Sequence, residues 1–526
     1  MEAANAALER LDAPFFVVGD EDNPAFADRG EALLTLPGGG SGDAVTPEEP
    51  GLAQLWAIAP AMPPERLGDA SFRRDYGVRY AYVAGEMANG IASVELVLAM
   101  ARAGLLGFFG AAGLEPGQIE SAIRRIHDGA PESQTGFNLI HSPHDPALEN
   151  ATVDLYLRHS VDVVCASAYL GLTPAVVRYR ATDLKRDPNG RVVVANRLIA
   201  KVSRAEVARR FLSPAPENML RDLVVAGQIT SEEAALAAEI PMCDDLTAEA
   251  DSGGHTDNRP AILLIPAMIA LRDEIAAAQG YAVSPRVGAA GGLATPTSVA
   301  AAFAMGAAYV VTGSVNQACR EAGTSDAVRA MLADAQPADV VMAPAADMFE
   351  MGVQVQVLKR GTLFAVRAKK LYELYRAYDR IESIPAGERQ KLETDIFKAP
   401  LSEAWASTQA YFAKRDPVQL ERAAKDPRHL MALVFRSYLG QSSKWANAGE
   451  PTRRADYQIW CGPAMGAFND WTRGGPLALP ENREVVTIAE NLMAGAAKLT
   501  RVGLLRAQGV RVSTALAQYR PRLLSK

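Results

Sequence analysis

From about residue 78, short runs that are apolar at nearly every position alternate with stretches whose apolar residues recur at helical spacing. The runs are Tyr80–Val83, Leu106–Phe109, Thr135–Ile140, Val161–Ser167, Arg197–Val202, Leu246–Ala250, Arg286–Ala290 and Tyr309–Thr312. Helix signals lie between them. Ser93 caps a helix over Val94–Ala103 closed by Gly104, and Pro116 and Pro174 open first turns. Further helices are predicted near 149–159, between 204 and 239, and over 260–278, and Thr295-Pro296 opens one that ends at Gly306. Strands that are apolar throughout, rather than alternating, indicate a parallel sheet covered by helices. Eight strand–helix units predict α/β closure into a (β/α)8 TIM barrel, with a doubly wound open sheet as the competing arrangement.

The rest of the chain lacks this rhythm. Residues 1 to about 70 read as irregular, with loops at GGGSGD (38–43), PEEPG (47–51) and PAMPPE (60–65). Residues 320–450 read as mostly helical and aromatic, with no return of the strand–helix alternation, and predict a helical lid beside the barrel mouth. A final helix is predicted over 484–500. The expected division is an N-terminal extension (1–75), a barrel (76–317), a helical lid or substrate domain (318–455), and a segment (456–526) that returns to the barrel.

Composition narrows the classes. With 54 basic and 61 acidic residues the 526-residue chain carries a net charge of −7, which argues against general nucleic-acid binding. The four cysteines are scattered without a CxxC pair, which excludes a Cys-rich zinc site, argues against a disulfide scaffold and fits a reducing cytoplasm. Glu2 and the lack of an apolar run behind it predict no secretory leader. The longest apolar stretch, Val299 to Val311, is too short for a membrane span.

In a parallel barrel, chemistry sits at the C-terminal ends of the strands. The candidates there are Glu86, Met87 and Asn89 after the first strand, and Asn138 and His141 at the third. Lys201 lies in the fifth strand, and Glu249, Asp251 and Gly253-Gly254-His255-Thr256-Asp257 follow the sixth. Gly291-Gly292 and Gly313-Ser314 follow the last two strands. Glycines at adjacent strand ends let backbone N–H groups approach an anion, and the helix opened by Thr295-Pro296 turns its positive end the same way, so a phosphate site is expected there. The plain alternative is that these glycines only make tight turns. Two glycines before His255 leave the backbone open over a flat ligand and put one imidazole in the mouth as a proton donor. The alternative is a loop histidine satisfied by Asp251 or Asp257. Lys201, inside an apolar strand, reads either as a cation beside an electron-rich ring or phosphate, or as a snorkelling residue at the strand end. His141 and His144 do not form a metal motif, and no metal is expected. All four cysteines read as packing residues. Segment 359–380 holds Lys359, Arg360, Arg367, Lys369, Lys370, Arg376 and Arg380 against Glu373 and Asp379. It reads as a solvated helix face or as a landing patch for an acidic carrier protein or a phosphopantetheine arm.

Five blocks carry a family resemblance: NRLIAKVSRAEVARRFLSPAP (196–216), EADSGGHTDNRP (249–260), GAAGGLATPTSVAAAFAMGAAYVVTGSVNQ (288–317), KRGTLFAVRAKKLYELY (359–375) and DYQIWCGPAMGAFNDW (456–471). Over roughly 75–526 the chain resembles the PfaD family. These are trans-acting flavin enoyl reductases of polyunsaturated fatty acid synthases and trans-acyltransferase polyketide synthases, within the nitronate monooxygenase-like FMN barrels. The resemblance implies FMN, its phosphate on Gly291, Gly292, Gly313 and Ser314 and its ring against Gly85, Glu86 and Met87. It places Asn138, Lys201, Gly253 and Gly254 at the ring, with Lys201 favouring negative charge there and His255 near the reactive face. It further implies hydride from NADPH or NADH, passed through the flavin to the β-carbon of a trans-2-enoyl thioester on an acyl carrier protein. His255 or water would protonate the α-carbon. A homodimer is an admissible assembly. Three other readings remain open at this point: a nitronate monooxygenase, a non-catalytic scaffold in a synthase, and an aldolase-like barrel with a Schiff base on Lys201.

Overall fold

The computed structural model describes residues 2–19, 25–29, 53–143 and 145–524. The loops 38–43 and 47–51 and His144 lie outside the described residues. Eight parallel strands close into a barrel. They are β1 (Tyr82–Ala84), β2 (Leu106–Phe109), β3 (Gly136–Ile140), β4 (Val163–Ser167), β5 (Arg197–Val202), β6 (Asp245–Glu249), β7 (Arg286–Ala290) and β8 (Val310–Thr312). Neighbours in sequence are neighbours in space, and β8 pairs with β1 to complete the ring. The open doubly wound sheet is thereby excluded.

Helix ends follow the local chemistry. The Ser93 side chain accepts from the Leu96 N–H at 3.0 Å, and Thr295 caps Pro296–Ala304 in a reciprocal pair with Ser298. Side-chain alternation along the strands then divides the barrel interior. Val83, Leu106, Phe108, Val163, Cys165, Ile199 and Tyr309 form an apolar lower interior with Phe72 and Tyr76 of helix Ala70–Tyr76. A buried ion pair, Arg286 to Asp245 at 2.6 Å, lies below it, and Tyr76 donates to the same carboxylate. Gly288 leaves room for Tyr309, since a Cβ there would lie 2.3 Å from its ring. The next inward positions on β5 and β6, two residues beyond Ile199 and Thr247, are Lys201 and Glu249. The period of two that fills the floor with apolar groups therefore also aims these polar groups at the mouth.

One expectation needs correction. The N-terminal region is not irregular throughout. Helix Glu2–Glu9 precedes a three-stranded antiparallel sheet of Phe15–Val18, Ala25–Ala27 and Leu55–Ala59. Phe15, Val17, Ala57 and Ala59 bury against Leu8, Val502 and Leu505. The strand-like alternation is only four or five residues long, and its buried face is completed by the far end of the chain. Strands also occur after residue 317. Val340–Pro344 and Gln354–Leu358 form an antiparallel sheet whose third member is Gly254–His255, from the loop after β6. Helices Phe364–Ala377, Leu401–Arg415, Pro417–Lys425 and Pro427–Ala448 follow, with a core of their own that includes Phe349, Phe364, Phe397, Phe435 and Tyr438. The last long helix, Val485–Ala507, lies on the barrel helix Pro296–Ala304. A Cβ on Gly495 would sit 2.5 Å from Pro296, so only glycine permits that approach. Among the described residues no helix is long and apolar enough to cross a membrane.

Candidate active site

A cavity of about 1210 Å³ opens at the C-terminal ends of the strands. The strand-end residues form its floor, and residues of the helices after Leu401 form its roof. Gly85, Glu86, Met87, Asn138, Lys201, Gly253, Gly254, His255, Gly291, Gly292, Gly313 and Ser314 all line it. The glycine pairs and the histidine therefore face one space.

The glycines do different jobs. Gly291 has φ +82°, and a Cβ there would lie 2.6 Å from the Ala250 carbonyl; it is a packing glycine. Gly85 packs on Val311, and Gly253 packs on the backbone of Cys461. Gly292, at φ +72°, and Gly313 are otherwise: a Cβ on either would meet no atom within 4 Å. They present bare backbone to the cavity. Beside them the Ser314 hydroxyl accepts from the Gly462 N–H at 3.1 Å. At the cap of the following helix, Ser298 Oγ accepts from the Ala294 and Thr295 N–H groups at 3.1 Å, so these two donors are already engaged.

Lys201 is not a free cation. Its Nζ lies 2.8 Å from Glu86 and 3.5 Å from Glu249. Burial alone would lower its pKa, but the two carboxylates raise it, so the amine stays protonated. Burial raises the pKa of Glu249, Lys201 opposes that, and Glu86 adds to it. Ser252 donates to Glu249 at 3.2 Å, and the Cys165 thiol donates to Glu86 at 3.2 Å. With both carboxylates ionised the cluster carries one net negative charge; with Glu249 protonated it is neutral. A Schiff-base lysine needs a neutral amine, so the aldolase-like reading loses its nucleophile.

Asn138 is buried, its amide nitrogen donating to Ser167 Oγ at 2.7 Å. His141 packs edge-on against Tyr169, and its Nδ1 is a buried ring atom without a partner among the described residues. Burial lowers its pKa, with Glu149 opposing. Among the described residues no group of three or more His, Cys, Asp or Glu side chains is placed to hold a metal.

His255 has a partner, but neither of the two expected. Asp251 accepts from Gln356 at 2.7 Å and from Asn258 at 2.8 Å. Asp257 accepts from Ser203 and Arg204. His255 Nε2 lies 3.1 Å from the Asp347 carboxylate, which comes from the loop after strand Val340–Pro344. Enclosure alone would lower the histidine pKa, but Asp347 outweighs it and raises it; the Asp347 pKa is held down in return. Asp347 escapes sequence reasoning because it is 92 residues from its partner and no motif surrounds it. The only local hint is the period-two pattern of Gln354–Leu358, which marks the strand that receives Gly254–His255.

The basic segment 359–380 is partly neutralised. Arg360 pairs with Asp339, Arg367 with Asp456, and Lys370 with Glu388. Lys359, Lys369, Arg376 and Arg380 remain exposed beside Leu363 and Val366.

Residues 75–374 match the family model for nitronate monooxygenase. The chain belongs to the nitronate monooxygenase family. Residues 378–457 match a second model, the inserted helical domain of [acyl-carrier-protein] S-malonyltransferase. Within this nitronate monooxygenase family, the chain is similar to a component of the polyunsaturated fatty acid synthase of Thraustochytrium sp. (strain ATCC 26185 / S-3). The two are 48% identical over 447 residues, which are 84% of this chain and 30% of that protein. It is also 48% identical over 436 residues to polyketide biosynthesis protein PksE of Bacillus subtilis (strain 168), covering 83% of this chain and 56% of the relative. The chain thus spans about a third to a half of these relatives' length. Among solved structures, the enoyl reductase domain of MlnA from the macrolactin biosynthesis cluster of Bacillus amyloliquefaciens matches with a TM-score of 0.80 at 39% identity. That match covers 85% of this chain and 99% of that one. The PfaD-type resemblance read from the five blocks agrees with these relatives.

Proposed function

We propose that this chain is an FMN-dependent enoyl reductase. It acts on a trans-2-enoyl thioester carried by an acyl carrier protein of a polyketide or polyunsaturated fatty acid synthase, with NADPH or NADH as reductant. The observation that carries this reading is that an open glycine corner and a carboxylate-held histidine line one cavity under a helical roof. The residues fit the cofactor. Gly292 and Gly313 leave space that any side chain would fill, and His141, which also lines the cavity, has a buried Nδ1 without a partner among the described residues. Gly292, Gly313 and Ser314 would hold the phosphate; Gly85–Met87, Asn138 and Lys201 would lie at the ring. Bound FMN would supply the redox chemistry between nicotinamide and enoyl group.

The protein does the rest. The Asp347 carboxylate favours the charged form of His255, and the imidazolium is the proton donor to the substrate α-carbon. The cavity offers an acyl chain apolar walls at Met348, Phe397, Phe412 and Leu433. The exposed cations between Lys359 and Arg380 offer an acidic carrier domain a landing face. Four buried free cysteines fit a reducing cytoplasm. The rival activity is a nitronate monooxygenase, whose small substrate would have no use for this roof.

Anaerobic stopped-flow spectroscopy tests the proposal. A bound flavin should be bleached by NADPH or NADH and recover on adding crotonyl thioester. No recovery with the thioester, together with turnover of an alkyl nitronate in air, would hand the assignment to the rival. His255→Ala should keep its flavin and slow enoyl reduction by about 10- to 1,000-fold; an unchanged rate moves the proton to water. Asp347→Asn should shift the pH profile. The donor works protonated, so the rate falls as pH rises through its pKa. Loss of the neighbouring negative charge lowers that pKa and moves the falling limb toward acid. A limb that stays in place would show that Asp347 does not control the charge of His255.

A further inference from the structure

Six lysines and arginines line the cavity: Lys201, Arg204, Arg415, Arg436, Lys444 and Arg453. Four are matched by a carboxylate at hydrogen-bond distance. Lys201 has Glu86 at 2.8 Å, Arg204 has Asp257 at 2.9 Å, Arg436 has Glu350 at 3.2 Å and Arg453 has Asp456 at 3.3 Å. The other two are not. Arg415 lies 3.6 Å from Glu115 and 3.9 Å from Asp145, beyond a good hydrogen bond. Lys444 makes no ion pair among the described residues. Both cations sit over one ring, each 5.6 Å from the centre of Tyr411. Tyr411 and Arg415 are one turn apart on helix Leu401–Arg415, and Lys444 comes from helix Pro427–Ala448, so two helices converge on the spot. Tyr411 is 41% exposed, which puts it at the open side of the cavity.

We infer that Arg415, Lys444 and Tyr411 form a second anion subsite of this cavity, built for a phosphate ester and separate from the glycine corner. An arginine fork and a lysine point charge with unspent donors suit a phosphate, and the ring supplies a flat wall for whatever carries it. The carboxylates nearby do not fill the role. Asp145 caps Leu148 N at 3.0 Å, Asp416 accepts from Gln419 at 2.9 Å, and Glu115 faces solvent. Glu403, also on the cavity wall, is the remaining acid there. The inference rests on the proposed function for the origin of the phosphate. It belongs either to the pantetheine arm that delivers the thioester or to the 2′-position of NADPH.

The test is the double variant Arg415→Gln/Lys444→Gln, with two matched substrate pairs. One pair is crotonyl-4′-phosphopantetheine and crotonyl-pantetheine; the other is NADPH and NADH. The KM of one phosphorylated member should rise about 10-fold or more, with its unphosphorylated counterpart within about twofold. The pair that responds identifies the source. Equal changes within both pairs, or none, overturn the subsite. Calorimetry on the flavin-loaded protein gives a readout that needs no turnover. Free 4′-phosphopantetheine or adenosine 2′,5′-bisphosphate should bind the wild type at least about tenfold more tightly than the double variant. Equal binding also overturns the subsite. If the wild type binds one of these ligands but never reduces an enoyl thioester, the subsite stands and the proposed reaction falls.

Discussion

Lys201→Met should destabilise the barrel by about 3–5 kcal/mol, the usual cost of removing one partner from a buried ion pair. Glu86 and Glu249 have side chains only 5% and 18% exposed, and Lys201 is the cation beside both. Without it, two carboxyls share a poorly solvated site and one or both take up a proton instead. The pH dependence follows. A carboxyl whose folded pKa lies above its unfolded value binds more protons in the folded state, so stability falls as pH rises between the two values. Glu249 already has a raised pKa in the wild type. The variant should therefore unfold in less urea at pH 8 than at pH 5, with a steeper fall than the wild type. Lys201→Met combined with Glu86→Gln and Glu249→Gln should recover much of the loss, since no unpaired charge remains. Urea midpoints for the single variant within the error of wild type at both pH values would mean that the cluster is solvated and contributes little.

Gly292→Asp should empty the flavin site. The position has room for a side chain, so the argument rests on charge rather than clash. A carboxylate about 4 Å from a phosphate at an effective dielectric near 20 costs about 4 kcal/mol per pair of unit charges. That converts to a roughly thousand-fold loss of affinity. Gly292→Asn is the control. Asparagine tolerates the left-handed backbone and has nearly the same volume but no charge. Absorbance of the purified proteins, with flavin titration into the apoproteins, separates the two. Gly292→Asn should remain largely yellow and Gly292→Asp colourless. Equal flavin content in both would place the phosphate elsewhere.

These expectations draw on different levels of the molecule. The open glycines at the ends of β7 and β8 were legible because strand-end glycines and a capped helix are local patterns. The separation of duties among them was not. Gly291 and Gly292 are adjacent and both have positive φ, yet only the packing of Ala250 shows that one serves the fold and the other faces the cavity. Lys201 stood out as a lysine in an apolar strand, but its partners Glu86 and Glu249 come from two other strand ends and were not legible. His255 was legible as a candidate, whereas Asp347 was invisible.

The amino-acid sequence alone determines the eight strand–helix units, most of their caps, and the polar residues that closure must gather at one rim. It can do so because periodicity and capping depend on neighbours within a few residues. Only the tertiary structure decides which charges meet. The Lys201 cluster, the His255–Asp347 pair, the antiparallel sheet on Gly254–His255 and the roof over the barrel all join segments distant along the chain. Such contacts arise when folding brings those segments together, and electrostatics at a site depends on the charges within a few ångströms, whatever their distance along the chain.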